Sequence, residues 1–460
     1  MQTKQKKNFE KVINMKKFEI IYCPIGVPTF HLESAQREFD ASISLLKTIE
    51  PDAIVPDEMI LSIDLLRTYL EDKNPDLVII QNITFANAAF ATEIFKRLNT
   101  QFILWTLREP VIDGGRLRLN SLTGAFSAGN AFRHMKDDNL IYMYGSPSEE
   151  VIKKKLTSVI KAAEVKHKMK DMNLLMIGHT PEGFGFGRAL DLDMSKAFGV
   201  NLLSIESREL TQLAKKRTVE EVVDTAKIAD SRMVGLEKTL KKNRNDFYKL
   251  YDVYKEYIQD NNVKAVASRC WPDFFTDYGT PVCGVLGMLN DDHIAAACEA
   301  DAYGALSMYV GNQLSKTPTY FGDPVSIDET ENTITFWHCG TGACSLARKD
   351  TGAATGVHPN RKIGPTMEFG LKPSKEATVF RIGRKANGEF RFFILNGEIL
   401  DKPKQFSGTS LVVQVQQNVN ELISEMVTEG WEPHFVVIYG DVSEELKYLA
   451  TILNHEICKY

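Results

Sequence analysis

Short apolar runs alternate with helical patterns over the first third of the chain. The continuous runs predict buried β-strands at residues 18–23, 77–80, 102–105 and 141–144. Apolar residues at helical spacing predict helices between them, for example at residues 34–50 and 86–98. Strands that alternate with helices are typical of a parallel sheet covered by helices. We therefore expect residues 17–165 to form an α/β domain of the Rossmann or flavodoxin type, closed by a helix at residues 153–171.

The middle of the chain repeats this alternation. Its apolar runs predict strands at residues 174–177, 202–205, 265–268 and 282–285. A charged stretch at residues 218–260 predicts a long helix, and the alanine-rich run at residues 294–306 predicts a buried one. Residues 166–310 are therefore expected to form a second α/β domain of the same type.

The last third of the chain favours strands. Alternating apolar and polar residues predict strands at residues 333–337, 378–383, 390–395, 411–415 and 434–439, and a closing helix at residues 443–454. The dipeptides Asn387-Gly388 and Asn396-Gly397 are typical of hairpin turns. Residues 311–460 are therefore expected to form a β-rich, barrel-like C-terminal domain. Residues 1–16, which are polar and rich in lysine, are expected to be a flexible N-terminal tail.

Composition narrows the function classes. The net charge of −5 and the pI of about 6.1 argue against a nucleic-acid-binding protein, which usually carries a basic surface. The first residues lack the apolar segment of a signal peptide, and no apolar run is long enough for a membrane helix. The seven cysteines are scattered and form no C-x-x-C pair, which suits a reducing compartment. We therefore expect a cytoplasmic protein without a nucleic-acid or membrane partner.

Three loops that follow predicted strands carry candidate binding residues. The glycine-rich segment 183–188 lacks the spacing of a phosphate-binding loop, so a flexible loop at a sheet edge is the better interpretation. Arg116, Arg118 and Asn120 would bind hydroxyl groups or an anion, although a solvated surface loop has equal weight. Arg269 and Trp271 would form a pocket wall, with a tryptophan packed under a loop as the alternative.

Two carboxylates and two histidines lie near the ends of predicted elements. Glu299 borders the apolar run 294–298, where a carboxylate is costly unless it is paired or bound to a metal. Asp323 lies at the start of the third domain. His338 follows the predicted strand at residues 333–337, and His434 begins the predicted strand at residues 434–439. Each alone is more often a surface, turn or hydrogen-bonded core residue. Together they form a donor set that suits manganese, iron, cobalt or magnesium.

The wording and order of several segments resemble the L-fucose isomerase and L-arabinose isomerase family. The resemblance spans about residues 17–455. It rests on residues 116–122 (RLRLNSL), 298–301 (CEAD), 321–323 (FGD), 337–340 (WHCG), 433–435 (PHF) and 440–442 (GDV).

The resemblance implies a fold and a set of metal ligands. It agrees with two α/β domains and a β-rich third domain, and it implies a homo-oligomer, often a hexamer. It also implies a divalent metal, usually Mn²⁺ with Mg²⁺, Co²⁺ or Fe²⁺ as alternatives, held by Glu299, Asp323 and His434. His338 is expected to be either a fourth ligand or a substrate contact.

The reaction that the resemblance implies is the interconversion of an aldose and its ketose. One route removes the C2 proton, passes through an enediol and returns a proton to C1, and it would use Glu299 and Asp323 as the acid–base pair. The rival route is a metal-assisted hydride shift, in which both carboxylates are ligands only. A non-catalytic, two-lobed sugar-binding protein is the alternative outside the enzymes.

The sequence leads us to expect a neutral deoxyhexose or pentose as the substrate. The alternative is an anionic sugar such as a sulfonated hexose. Arginines that reach the far end of the sugar would favour the anionic substrate, because a guanidinium matches sulfonate or carboxylate oxygens. Arginines that face solvent or structural carboxylates would favour the neutral one.

Overall fold

The computed structural model describes residues 16–460, so the predicted tail at residues 1–16 lies outside the described residues except for its last residue. The chain divides into two compact units, Met1–Thr157 and Ser158–Tyr460. The predicted domain boundaries near residues 165 and 310 stay predictions. The predicted fold class is confirmed, because two parallel α/β sheets precede a C-terminal antiparallel β-barrel.

The first unit is built on a parallel four-stranded sheet with the strand order β1-β2-β3-β4. Its strands are β1 (Ile20–Ile25), β2 (Leu77–Asn82), β3 (Gln101–Thr106) and β4 (Ile141–Tyr144). Its helices are α1 (Leu32–Ile49), α2 (Ile63–Tyr69), α3 (Ala88–Arg97), α4 (Ser121–Met135) and the start of α5 (Glu150–Met169). Every residue of β1, β2 and β3 is buried, as continuous apolar runs predict for strands covered on both faces.

The second unit begins with another parallel four-stranded sheet, in the order β6-β5-β7-β8. Its strands are β5 (Asn173–Ile177), β6 (Asn201–Ile205), β7 (Val263–Ser268) and β8 (Ala295–Ala297). The helices that accompany it are α6 (Asp191–Phe198), α7 (Ser207–Lys216), α8 (Val223–Arg232), α9 (Lys241–Asp260), α10 (Cys283–Asp291) and α11 (Ala302–Ser315).

Three predicted elements of this region are wrong in type or extent. The predicted strand at residues 282–285 is the start of α10, and the predicted helix at residues 294–306 is β8, a turn and the start of α11. Both segments are buried on all sides, and an apolar run without periodicity does not distinguish a strand from a helix. The predicted long helix at residues 218–260 is divided into α8 and α9 around Gly235, which has a φ of 81°.

The rest of the second unit closes into a barrel of six antiparallel strands, in the order β13-β16-β9-β10-β15-β14 and back to β13. The strands of this region are β9 (Tyr320–Asp328), β10 (Thr333–His338), β11 (Thr355–Gly356), β12 (Thr366–Met367), β13 (Ser374–Arg384), β14 (Phe390–Ile399), β15 (Thr409–Val415), β16 (Phe435–Tyr439) and β17 (Glu456–Lys459). Helices α12 (Val419–Thr428) and α13 (Ser443–Leu453) complete it. Strand β17 pairs in parallel with β14, and β11 pairs with β12 outside the barrel.

The two predicted hairpin turns have different outcomes. Asn387-Gly388 connects β13 to β14, and Gly388 has the positive φ of 88° that such a turn requires. Asn396-Gly397 lies inside β14, where the two residues pair with Thr378 and Ala377 of β13. The turn predicted there is wrong because the continuous pairing of two long strands outweighs a local dipeptide preference.

Among the described residues, no helix is long and apolar enough to cross a membrane.

A buried asparagine connects the parallel sheet to the segment that follows β10. Asn290, near the end of α10, is only 2% exposed. Its amide accepts from Ala296 N at 2.8 Å and donates to Ala296 O at 3.1 Å and to Thr341 O at 3.0 Å. The side chain therefore satisfies three backbone groups that water does not reach.

We predict that Asn290→Ala lowers the free energy of unfolding by about 1–3 kcal/mol, because it leaves these buried backbone groups without partners. Asn420→Ala is the control, since Asn420 is exposed on α12, and a change within about 0.5 kcal/mol is expected there. Denaturant titration measures both. Equal losses in the two variants would show that Asn290 does not connect these elements.

Candidate active site

Three of the predicted site residues lie at one end of the barrel. Strands β16, β9 and β10 are neighbours, with Phe435 opposite Gly322 and Trp337 opposite Asp323. His434, just before β16, and His338, at the end of β10, therefore lie at the level of Asp323. The sequence-based alternative for Asp323, a turn residue, is wrong because the residue lies within β9.

The fourth predicted residue reaches this end of the barrel from the parallel sheet. Glu299 lies in the turn between β8 and α11, where Glu299 and Ala300 have φ values of 57° and 55°. Residues other than glycine rarely adopt this conformation, which costs about 1–3 kcal/mol each and is concentrated at functional sites. The hydrogen bond from Ala300 N to Ser268 O, 3.0 Å long, holds the turn against the end of β7.

The side chains of these residues converge on one imidazole. His434 Nε2 is 3.0 Å from Glu299 Oε2 and 3.4 Å from Asp323 Oδ1. Ligand atoms of Glu299, His338 and His434 lie within 4.8 Å of one another. The structure therefore brings all four predicted acidic and histidine residues to one place.

A buried ion pair supports His434 from behind. His434 Nδ1 is 2.9 Å from Asp301 Oδ2, and Arg381 of β13 donates to both oxygens of Asp301 at 2.5 and 3.1 Å. Asp301 Oδ1 also accepts from Gly304 N at 2.8 Å and so caps α11. The side chains of Arg381, Asp301 and His434 are at most 1% exposed. With its Nδ1 proton donated to Asp301, His434 would offer the lone pair of Nε2 to a metal ion once the proton on Nε2 has left.

Aromatic rings cover the remaining sides of His434. The rings of Phe186 and Phe321 lie 5.2 and 4.7 Å from its imidazole. Phe184 and Phe186 flank Gly185 in the segment 183–188, so this predicted loop packs on the site. A Cβ atom on Gly187 would lie 2.8 Å from Asp301 Cα, so only glycine allows this approach.

The concentration of negative charge changes the protonation of the site. Burial lowers the pKa of His434, but the hydrogen bonds to Asp301 and Glu299 outweigh burial and raise that pKa to about 10. Burial raises the pKa of Glu299, but the hydrogen bond and charge of His434 bring it below its usual value. Burial also acts on Asp323 and raises its pKa. Without a metal, the His434 imidazolium therefore balances the surrounding carboxylates.

The donor set fits a divalent metal ion. Carboxylate oxygens of Glu299 and Asp323 lie 3.0 and 3.4 Å from the Nε2 atom of His434, and hard or borderline cations such as Mn²⁺, Mg²⁺, Fe²⁺ and Co²⁺ prefer such ligands. Asp301 and Arg381 provide the outer contacts that orient a metal-binding histidine.

The two histidines have different hydrogen-bonding roles. His338 Nδ1 accepts a hydrogen bond from Cys339 N at 3.0 Å. Neutral His338 then carries its proton on Nε2, and this atom is a donor rather than a lone pair. This arrangement favours His338 as a substrate contact. Its distance to Glu299 and His434 is also short enough for a metal ligand.

A cavity of about 270 Å³ opens beside these residues. Its wall combines acidic, aromatic, thiol and basic side chains: Cys270, Trp271, Glu299, Asp323, Trp337, His338, Cys339, His358, Asn360 and Arg361. Trp271 Nε1 donates to Glu299 Oε1 at 3.2 Å. The thiol of Cys339 also lies within 4.8 Å of the thiols of Cys283 and Cys298, and all three residues are buried.

The predicted substrate contacts are distributed over both units. Trp271 lines the cavity, as expected for a pocket wall. Arg269 does not line it, because its guanidinium is 2.8 Å from Asp273 and also donates to Trp271 O.

In the first unit, the other three predicted contacts have partners close by. Arg116 donates to Thr29 O at 2.7 Å, and Arg118 is 3.4 Å from Asp113. Asn120 precedes α4 with a φ of 53°. Their assignment to substrate stays a prediction.

Sequence reasoning missed several residues of the site. Arg381 interrupts the apolar strand at residues 378–383, and a charge in such a run is a detectable anomaly. Asp301 lies two residues after Glu299, within the segment CEAD that supports the family resemblance. His358, Asn360 and Arg361 occupy an irregular polar loop, and no local pattern indicates their place in the cavity.

Comparison with known proteins shows the family of the chain. Residues 353–460 match the family model described as L-fucose isomerase, C-terminal domain. The chain is 58% identical to a sulfoquinovose isomerase of Clostridium sp. (strain MSTE9) over 96% of this chain and 99% of that protein. It is 36% identical to sulfoquinovose isomerases of Priestia aryabhattai and Alkalicoccus urumqiensis, over 97% and 95% of this chain and 100% and 98% of theirs.

We predict that Arg381→Met lowers the free energy of unfolding by about 3–5 kcal/mol, because it leaves the buried Asp301 carboxylate without its cation. Arg384→Met is the control on the same strand, since Arg384 pairs with Asp193 at the surface and contributes about 1 kcal/mol or less. Denaturant titration of the two variants compares them. A loss of unfolding free energy in Arg381→Met no larger than in the control would show that the Arg381–Asp301 pair does not stabilise the site.

Proposed function

The chain belongs to the L-fucose isomerase family and is an aldose–ketose isomerase of carbohydrate metabolism, and we propose that it converts sulfoquinovose to its ketose with a bound divalent metal ion. The relatives that match over nearly the whole chain are named for this sulfonated hexose. These comparisons support the anionic-sugar alternative better than the neutral deoxyhexose or pentose of our main prediction.

The observation that carries the proposal is the convergence of Glu299, Asp323 and His434 beside the cavity. Two carboxylates and an imidazole are the donor set that the family resemblance implies, and they come from a turn, the strand β9 and the residue before β16, which are distant in sequence. A non-catalytic sugar-binding protein would need no such cluster.

These three residues are the ligands that we propose for the metal, with Mn²⁺ as the first choice and Mg²⁺, Co²⁺ or Fe²⁺ as alternatives. When bound, such an ion polarises sugar oxygens and stabilises negative charge that develops on them. Because His434 must lose its Nε2 proton to bind, metal uptake should release a proton. His338 then donates from Nε2 to a sugar oxygen.

The carboxylates do the proton transfer in this proposal. One of the pair Glu299 and Asp323 removes the proton from C2 of the open-chain aldose while the C1 carbonyl oxygen gains a proton from solvent, and the enediol forms. A carboxyl group of the pair returns a proton to C1, while the proton of the C2 hydroxyl leaves so that the ketone forms. The sugar gains and loses no atoms overall. Trp271 holds Glu299 by its indole hydrogen bond and limits the positions of that carboxylate.

The proposal has two further parts, the assembly of the protein and its location in the cell. A homo-oligomer, with a hexamer as the assembly typical of the family, is carried by the resemblance. A cytoplasmic location is carried by the sequence composition and by scattered cysteines that are all free in the structure.

We predict that chelator treatment abolishes the conversion of sulfoquinovose to its ketose and that Mn²⁺ restores it, because the metal supplies charge stabilisation that no other group in the cavity replaces. Glu299→Gln and Asp323→Asn should each lower kcat by about 10²–10⁴-fold. Nuclear magnetic resonance of the sugar mixture follows turnover, and elemental analysis follows bound metal.

The matched control is Glu376→Gln, which changes an exposed carboxylate at the start of β13 and should leave kcat unchanged. Full turnover in metal-free protein would contradict the metal-dependent site. Turnover of L-fucose or L-arabinose but not of sulfoquinovose would contradict the substrate.

A further inference from the structure

We propose that Arg361, assisted by Asn360, binds the sulfonate group of the substrate in the same cavity that holds the acid–base residues. The proposal rests on the proposed function, because it assumes a sulfonated sugar. It adds a specificity-determining pair on the loop between β11 and β12, a loop that carries none of the residues discussed as metal ligands.

Arg361 is the basic residue of this cavity. Of the described residues that line it, Arg361 alone is a lysine or arginine. Glu299 and Asp323 line the same cavity, and neither forms an ion pair with the guanidinium. The guanidinium therefore lies more than 4 Å, the ion-pair limit, from both carboxylates. A substrate with a reactive end and an anionic end needs this separation.

The guanidinium of Arg361 is also unpaired. Among residues 16–460 it forms no ion pair and donates no side-chain hydrogen bond, and its contact is with the ring of Phe275, 5.9 Å from the guanidinium carbon. Arg269 differs in this respect, because Asp273 already neutralises it at 2.8 Å. An arginine beside a cavity that has all of its donors available is suited to bind an anion.

The loop that carries Arg361 is held in place by its own hydrogen bonds. His358 is 7% exposed, and its Nδ1 atom accepts from the backbone N of Asn360 and of Arg361, both at 3.3 Å. His358 N donates to Ile363 O at 2.9 Å, and the ring of Phe275 packs edge-on against His358 at 4.9 Å. The backbone of the loop is therefore ordered before substrate binds, which reduces the entropic cost of binding.

The chemistry of a sulfonate matches these groups. A sulfonate is anionic over the whole physiological pH range and offers three acceptor oxygens, and a guanidinium donates to two of them in a planar fork. The side-chain amide of the exposed Asn360 can donate to the third. The negative charges of Glu299 and Asp323 repel the sulfonate from the reactive end, so the sugar is oriented by attraction at one end and repulsion at the other.

This arrangement explains how the site would reject a neutral sugar. A 6-deoxyhexose lacks the group that pairs with Arg361 and would bind with that contact missing. The arginines that we considered from the sequence, Arg116, Arg118 and Arg269, have protein partners. Arg361, the residue that fits an anionic substrate, was not indicated by the sequence.

The test compares Arg361→Gln with Lys362→Gln. Both variants remove one positive charge from adjacent exposed positions, but Lys362 lines a different cavity. Each enzyme is loaded with Mn²⁺ and assayed with sulfoquinovose and with 6-deoxyglucose, the same sugar with hydrogen in place of the sulfonate. If 6-deoxyglucose turns over too slowly, its binding is measured as competitive inhibition of sulfoquinovose turnover.

We expect Arg361→Gln to lower kcat/KM for sulfoquinovose by about 10- to 100-fold, mainly through KM, and to leave the constants for 6-deoxyglucose nearly unchanged. Lys362→Gln should change neither. Unchanged sulfoquinovose kinetics in Arg361→Gln, or equal losses with both sugars, would overturn the sulfonate site while the isomerase function stood. Absence of sulfoquinovose turnover in the unmodified enzyme would instead overturn the proposed substrate, and the sulfonate site with it.

Discussion

The buried ion pair between Arg381 and Asp301 is the interaction on which the site depends. It joins the barrel strand β13 to the N-terminus of α11, and Asp301 also fixes the ring of His434. Removing two charges from water costs free energy, which their pairing and the hydrogen bonds from both terminal nitrogens of Arg381 to Asp301 offset. Movement of α11 relative to the barrel would break this pairing, so the pair fixes the turn that carries Glu299 against the strand that carries Asp323.

This constraint also explains why the site lies at the junction of the sheet and the barrel. The parallel sheet ends at its carboxyl edge in the strained turn at Glu299, and the barrel ends at the level of Asp323, His338 and His434. Neither part has the complete donor set alone. Ligands from distant segments are held at defined distances because each lies in a strand or within two residues of one, which a site built on long loops would not provide.

Much of the fold follows from local patterns, and the site follows only in part. The first three strands lie in continuous apolar runs because both sheet faces are covered, and they were predictable for that reason. The element types predicted for residues 282–285 and 294–306 were wrong because full burial removes the periodicity that distinguishes a strand from a helix. The metal-type residues were recognisable by family resemblance. Arg361 was not, because its place depends on how a loop folds against a cavity and on nothing in its neighbouring residues.

The most direct test of the account is the fate of the C2 hydrogen when the enzyme acts on sulfoquinovose in deuterated water. If Glu299 and Asp323 transfer a proton, the ketose should carry solvent deuterium at C1, and prolonged incubation should place deuterium at C2 of the remaining aldose. Nuclear magnetic resonance of both sugars reports these positions. A ketose that forms over many turnovers with no deuterium in either sugar would contradict the account and favour the direct hydride shift from C2 to C1.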